Sequence, residues 1–140
     1  MGCDIHCYIE HKVNDVWIPA EDPLDHRTYY SIIGRNYDLF GFLAGVRKER
    51  LDSLPALGLP DDISEELHKY YQKEWDQDAH SASFIYLDEL KKHILGFTLL
   101  PERVGGYVLS GLIEIHTLFS QSNEGKHSPG NSRMVFWFDN

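Results

Sequence analysis

The chain has 140 residues, with a hydrophobic fraction of 42% and an aromatic fraction of 13%, which predicts one globular domain over residues 1–140 and excludes a disordered chain. The formal net charge of −9 with neutral histidines disfavours nucleic acid and anionic membranes as partners. No apolar run approaches the roughly 18 residues of a membrane span, and no leader pattern indicates secretion, so we expect no membrane partner and a cytoplasmic location.

The first residues alternate between apolar and polar side chains, which is the pattern of a half-buried strand. Cys3, Ile5 and Cys7 are expected to face a core. Asp4 and His6 should project from the opposite face, roughly 6.6 Å apart along the strand. The two cysteines would then lie roughly 13 Å apart, which is too far for a disulfide, so we expect buried thiols in a reducing compartment.

A hairpin is the next predicted element. Residues 7–22 read as two short strands, with the turn at Asn14 and Asp15. Residues 23–35 are expected to form an irregular connection that contains a short apolar piece, a candidate third strand. The chain therefore starts with a strand pair and not with a helix.

Two helices are predicted after this connection. Asn36 is a favourable N-cap for a helix within residues 36–49, where apolar residues recur at helical spacing. Asp62 is expected to cap a second helix that extends to about Trp75. Residues 76–83 should then break this helix and form a loop.

The remaining segments alternate in type up to a final strand. Residues 84–94 contain a short extended piece and then a helix, residues 107–122 fit a longer helix, and residues 122–132 form a loop. Residues 133–140 are an apolar run too dense for an exposed edge strand. The order predicts an α+β domain: a small, mostly antiparallel sheet that includes the N-terminal hairpin and the C-terminal strand, covered by helices on one face.

The first candidate site combines carboxylates and imidazoles. If the last strand runs antiparallel to the first, Asp139 lies near Asp4, and His6 and His80 could join them. Such side chains serve as ligands of a divalent metal or as partners in acid–base catalysis. We expect His6 and His80 as catalytic residues and Asp4 and Asp139 as ligand-binding residues. In the hydrolase alternative, Asp4, His6 and Asp139 would be the ligands of a divalent metal. The alternative is a polar network that only locks the end of the sheet.

Three further residues are candidates for ligand binding. Ser81 lies in a predicted loop and could contact a ligand, or else cap the backbone. Arg35 precedes the first helix and suits phosphate, and Tyr37 offers a face for stacking. Arg47 and Lys48 are explained by favourable charge at the helix C-terminus.

Five segments carry a resemblance to a known family. They are "MGCDIH", "RNYDLFGFLAGVR", "GLPDDIS", "HSASFIYLDEL" and "VFWFDN", and they cover most of the chain. Together they resemble a family of small proteins encoded in bacteriophage genomes. The resemblance implies a phage origin and a role in the cytoplasm of the infected bacterium, where accessory proteins of this size often inhibit host defence. It assigns no catalytic residue.

Three functions remain open from the sequence. The leading hypothesis is a phage accessory protein that binds and sequesters a nucleotide-like, phosphate-bearing signal of host defence, with Arg35 on phosphate and Tyr37 stacked on the ligand. The second is a phosphodiesterase-type hydrolase of such a nucleotide, with or without a divalent metal. The third is an acidic interaction protein that inhibits a host enzyme, and a homo-oligomer is also open. We further expect His6 to face a pocket, so that His6→Ala abolishes function and leaves stability nearly unchanged.

Overall fold

The computed structural model describes residues 2–23, 33–123 and 126–140. They form a four-stranded antiparallel sheet with strand order β2-β1-β4-β3 and helices on both faces. The strands are β1 (Asp4–Val13), β2 (Val16–Pro19), β3 (His80–Tyr86) and β4 (Ser132–Asp139). The helices are α1 (Tyr37–Ala44), α2 (Glu65–Glu74), α3 (Leu87–Thr98) and α4 (Glu102–Asn123), and Pro129–Asn131 forms a single 3-10 turn. The predicted α+β class is confirmed, and the first and last strands occupy the centre of the sheet.

The N-terminal hairpin has the predicted turn. Asn14 and Asp15 both have positive φ, 51° and 65°, as a two-residue turn of type I′ requires. The strands that flank it pair from Val13 and Val16 outward. The candidate third strand falls mainly on residues 24–32, which lie outside the described residues.

One face of the sheet carries the larger core, as the alternation in β1 predicts. Cys3, Cys7 and Ile9 are buried there together with apolar residues of α1, α3 and α4. Both cysteines are free thiols, and burial raises the pKa of each. The prediction of buried, unpaired thiols on this face is therefore confirmed.

The opposite face is also covered, which corrects the prediction of helices on one face alone. Val135 and Trp137 of β4 are completely buried there against Leu67 and Tyr70 of α2. The reason is that β4 carries apolar residues at both parities, so neither of its faces can be left to solvent. Helix α2 closes the second core.

The start of α2 differs from the prediction as well. Its N-cap is Ser64, whose side chain accepts a hydrogen bond from the Leu67 N–H at 3.3 Å. Asp62 instead accepts hydrogen bonds from Arg133 Nη1 at 2.6 Å and from Trp17 Nε1 at 3.0 Å. The predicted Asp62 cap was wrong because these two donors, both distant in sequence, compete for the carboxylate.

A buried ion pair joins the two central strands on the α2 side. Glu10 and Arg133 are direct cross-strand partners, their side chains are fully buried, and Arg133 Nε donates to Glu10 Oε1 at 2.8 Å. The second carboxylate oxygen accepts the Ser64 N–H at 2.9 Å. The guanidinium also lies 3.9 Å from the centre of the Trp17 ring. Both carboxylate oxygens of Glu10 and the guanidinium of Arg133 therefore have partners in the fold.

The segment predicted as a loop over residues 76–83 enters the sheet instead. Strand β3 begins at His80 and pairs with β4, with an irregularity in register between His80 and Ser83. The helical periodicity that follows is confirmed by α3. The sequence did not predict this strand because its first half is made of small and polar residues. That half is irregular in register and contributes few apolar side chains to either core.

Helix α1 begins where its sequence indicates but ends earlier than predicted, at Ala44. The Asn36 side chain accepts a hydrogen bond from the Leu39 N–H at 3.1 Å, so the predicted N-cap is confirmed. Gly45 ends the helix with φ 68°, a left-handed conformation that favours glycine. The chain then folds back so closely that a Cβ at Gly41 would collide with the Lys48 carbonyl oxygen. This reversal carries Arg47 toward the end of the sheet.

We predict that Arg133→Met destabilises the protein by about 3–5 kcal/mol, because it leaves the Glu10 carboxylate buried without its cation. The double variant Glu10→Leu with Arg133→Met should recover most of this loss, because no charge then remains buried. Chemical denaturation measures both. Lys69→Ala, which removes an exposed pair with Glu65, serves as the control and should change stability by less than about 0.5 kcal/mol. Equal losses in the single and double variants would contradict the prediction.

Candidate functional site at the sheet edge

The pairing of the terminal strands brings several predicted site residues to one end of the sheet. Asp4 pairs with Asp139, so the predicted antiparallel neighbourhood of these two carboxylates is confirmed. On the other side of β4, His80 pairs with Phe138. The start of β1, the start of β3 and the end of β4 therefore meet at one edge.

A cleft of about 610 Å³ opens at this edge, and we call it the edge cleft. The α1 turn lines one side and the ends of β3 and β4 line the other. Its lining residues are Gly45, Val46, Arg47, His80, Ser81 and Asn140. Of the predicted site residues, His80 and Ser81 lie here.

Two lining residues have strained backbones. Ser81 has φ 55° and Arg47 has φ 63°, in the left-handed region that L side chains other than Asn and Asp rarely adopt. Each such residue costs of the order of 1 kcal/mol and persists only where the surrounding structure imposes it. Because strain of this kind concentrates at functional sites, two strained residues on one cleft mark it as a candidate site.

His80 is fixed between two side chains in the cleft. Its Nδ1 lies 3.0 Å from Ser81 Oγ and its Nε2 lies 3.3 Å from Asn140 Oδ1. The tautomer with its proton on Nε2 satisfies both contacts, because Nε2–H then donates to the Asn140 amide oxygen and Nδ1 accepts the Ser81 O–H. The imidazole thus connects a hydroxyl donor to an amide acceptor.

Arg47 supplies the positive charge at the edge cleft. Its guanidinium carbon lies 5.6 Å from the centre of the Tyr37 ring, a cation–π distance. Burial raises the pKa of the nearby Cys3 thiol, and a hydrogen bond from Arg47 opposes that rise. Sequence reasoning assigned Arg47 to the charge at the end of a helix, so its place at the site was missed.

Arg35 and Tyr37 have different surroundings from those predicted. Arg35 donates to Asp4 twice, from Nε at 2.8 Å and from Nη2 at 3.3 Å, and this pair keeps the pKa of the Asp4 carboxyl below its usual range. Tyr37 Oη accepts the Cys3 N–H at 3.1 Å. The two residues line a separate depression of about 430 Å³, shared with Lys48. They flank the edge cleft and do not line it.

His6 lies on the α2 side of the same sheet end and is only 3% exposed. Its ring is 4.1 Å from the Trp75 ring, and its Nε2 is 3.2 Å from Asp139 Oδ1. It is shielded from bulk solvent, as predicted, but by the aromatic side chain that follows α2. This burial makes His6 a packing residue of the second core, and the expectation of unchanged stability in His6→Ala no longer holds.

The proposed metal ligands are held in two separate pairs. Asp4 faces Arg35, while His6 contacts Asp139. Across residues 2–23, 33–123 and 126–140, no group of three or more His, Cys, Asp or Glu side chains is arranged to hold a metal ion. In the described structure, Asp4, His6 and Asp139 therefore do not form a common ligand set.

A second cleft of similar size, about 630 Å³, lies between α1 and the first turns of α4. Two of its lysine and arginine residues already have carboxylate partners, since Lys48 pairs with Asp38 at 2.5 Å and Arg50 pairs with Asp52 at 2.7 Å. Neither residue with strained backbone lines it. We therefore regard the edge cleft as the stronger candidate.

Comparison of the chain with protein-family models, with curated proteins and with solved structures finds no match. None of the described helices is both long and apolar enough to span a bilayer.

The strain at Ser81 leads to a direct prediction. Ser81→Gly should be more stable than Ser81→Ala by about 1 kcal/mol, because both variants lose the hydroxyl but only glycine adopts φ 55° without cost. Thermal or chemical denaturation of the two variants measures the difference. If alanine is tolerated as well as glycine, Ser81 does not hold a left-handed conformation.

The burial of His6 leads to a prediction about stability. His6→Ala should lower stability by roughly 1–3 kcal/mol, because it removes the contact with Trp75 and the hydrogen bond to Asp139. His68→Ala on the exposed side of α2 is the matched control and should have little effect. Denaturation curves in which both variants match the wild type would show that His6 is not part of the core.

Proposed function

We propose that the chain binds a small, phosphate-bearing, nucleotide-like ligand in the edge cleft and so withdraws a signal from a bacterial defence system. The observation that carries this proposal is a cleft lined by Arg47 together with the hydrogen-bonded residues His80, Ser81 and Asn140, with positive φ at Arg47 and Ser81. The resemblance to phage-encoded proteins supports the biological setting.

The size and chemistry of the cleft suit such a ligand. Its volume of about 610 Å³ lies within the usual range for small-molecule sites, roughly 300–1,000 Å³. Arg47 can donate charge-assisted hydrogen bonds to phosphate oxygens, and its charge stands out in a chain of net charge −9. Ser81 and Asn140 add neutral polar groups that can orient the rest of the ligand.

Tyr37 has a supporting role in this proposal. Its ring holds the Arg47 guanidinium by a cation–π contact and its hydroxyl is bound to the Cys3 backbone. The cation–π contact restrains Arg47, and the hydrogen bond to Cys3 restrains the ring that makes this contact. A preorganised cation binds an anion with a smaller entropic cost than a mobile one.

A phosphodiesterase-type hydrolase is the second candidate, and one observation favours it. The His80 ring accepts from the Ser81 hydroxyl through one nitrogen and donates to Asn140 through the other, as a general base held in one tautomer would. Heating the loaded protein separates the two candidates. Intact ligand in the supernatant indicates storage, and cleaved ligand indicates hydrolysis.

The test is calorimetric titration of the full chain with cyclic dinucleotides and with ADP-ribose. We expect at least one of these probes to bind, and Arg47→Gln to weaken that binding by about 10- to 100-fold, the usual effect of losing a charge-assisted hydrogen bond. Binding should also weaken as salt rises, because the attraction is largely electrostatic.

Arg103→Gln provides the charge-matched control, because Arg103 is exposed on α4 and lines the other cleft. It should leave affinity unchanged. The absence of binding across the panel, or equal weakening by the two arginine variants, would overturn the proposal.

A further inference from the structure

We propose that Ser81 is a covalent nucleophile that cleaves a phosphodiester in the edge cleft, with His80 as its general base and Asn140 as a positioning residue. This inference rests on the second candidate of the proposed function, the phosphodiesterase-type hydrolase, which shares the edge cleft and the phosphate of the ligand with the storage proposal. It does not depend on the identity of the nucleotide.

The geometry contains the two contacts, among three residues, that an activated serine requires. The nucleophile lies within hydrogen-bond reach of the base, with Ser81 Oγ 3.0 Å from His80 Nδ1. The base is oriented by a third group, since His80 Nε2 lies 3.3 Å from Asn140 Oδ1. These are the relations by which nucleophile, base and orienting residue are recognised on unrelated folds.

The backbone around Ser81 is consistent with this role. The residue has φ 55°, and it lies in the stretch of β3 where the register with β4 shifts between His80 and Ser83. Bulges next to active sites re-aim a side chain out of the regular alternation of a strand. Without the irregularity, neighbouring residues such as His80 and Ser81 would point to opposite faces of the sheet.

A second serine–histidine pair in the chain differs from the first in backbone conformation and in the partner of the serine hydroxyl. Ser120 Oγ lies 3.5 Å from His116 Nδ1 on α4, but its hydroxyl also donates to the His116 carbonyl oxygen at 3.1 Å. Ser120 is exposed and has the regular backbone of a helix. It therefore offers an accessible hydroxyl that is not activated, within the same molecule.

The reaction balances without an external oxidant or reductant. Ser81 Oγ attacks phosphorus, its proton moves to His80 Nδ1, and the bond from phosphorus to the leaving alkoxide breaks. The alkoxide departs opposite Ser81 Oγ and takes a proton from a water molecule, which leaves as an alcohol and a hydroxide ion. That hydroxide, or a water that it deprotonates, then attacks the phosphoserine ester from the same opposite side. His80 returns its proton to Ser81 Oγ as the bond from phosphorus to Oγ breaks, which restores the hydroxyl. Arg47 neutralises the charge on the non-bridging oxygens during both steps.

The test uses a fluorophosphonate probe, which a base-activated serine attacks at phosphorus with loss of fluoride. The full chain is incubated with the probe, and the modified residue is located by mass spectrometry of its peptides. We expect one adduct, at Ser81, and none at Ser120. Ser81→Gly should abolish labelling without loss of fold, since glycine fits the backbone, and Ser120→Ala should leave labelling unchanged.

Two further variants examine the base and the positioning residue. His80→Ala should slow labelling by about 100-fold or more, the usual contribution of a general base. Asn140→Ala should also slow it, and Asn140→Asp should restore it, because a carboxylate holds the imidazole in the same tautomer.

The outcomes separate this inference from the proposed function. Absence of an adduct at Ser81, or equal labelling of Ser81 and Ser120, overturns the nucleophile, whether or not the titrated nucleotides bind. Labelling of Ser81 that depends on His80 supports it, even if no nucleotide in the panel binds and the binding proposal fails.

Discussion

The buried pair of Glu10 and Arg133 is the interaction on which the arrangement of the sheet depends. It joins the two central strands inside the second core, with both side chains fully buried. Replacement of such a pair by apolar residues is often neutral or stabilising, so its value lies less in stability than in specificity. A shift of β4 by one residue would point the arginine into the opposite core and leave the carboxylate buried without a cation. The pair therefore selects one register.

That register has consequences six residues away. With Glu10 opposite Arg133, Asp4 falls opposite Asp139, and the end of β4 reaches the start of β3. Asn140 then lies within hydrogen-bond distance of the His80 ring. The pairing of β1 with β4 links the buried charge pair at one end of the sheet to the candidate site at the other end.

The edge cleft receives its remaining parts from local backbone conformations. The left-handed turn at Gly45 ends α1 and returns the chain toward the sheet, where Arg47 also has positive φ. The irregular start of β3 displaces Ser81 from the regular alternation. Two residues with positive φ, Arg47 after α1 and Ser81 in β3, therefore line the same cleft. Strained residues are expected to cluster in this way at a functional site.

Much of the fold follows from local sequence patterns. The alternation in β1, the Asn14–Asp15 turn and the Asn36 cap each depend on neighbouring residues alone, and all three are confirmed. The proximity of Asp4 and Asp139 followed from the antiparallel order of the strands. These features share a cause that lies within a few residues of the chain or in simple topology.

The features that were missed depend on contacts between distant segments. The burial of His6 requires Trp75, and the loss of the Asp62 cap requires Arg133, which lies 71 residues further along the chain. The sequence offered a local role for Arg47 at the end of a helix, but α1 ends at Ala44, and the place of Arg47 in the cleft depends on the chain reversal that follows. The density of apolar residues in β4 was the one signal that could have predicted a second core, because such a strand needs cover on both faces.

The register of the sheet places His80 between the Ser81 hydroxyl and the Asn140 amide at the edge cleft. The ¹⁵N chemical shifts of the His80 imidazole test this arrangement most directly, measured in the full chain without ligand at a pH where the ring is neutral. We expect a single tautomer, with the proton on Nε2 and an accepting Nδ1. A proton on Nδ1, or rapid averaging between the two tautomers as in an unconstrained imidazole, would contradict it.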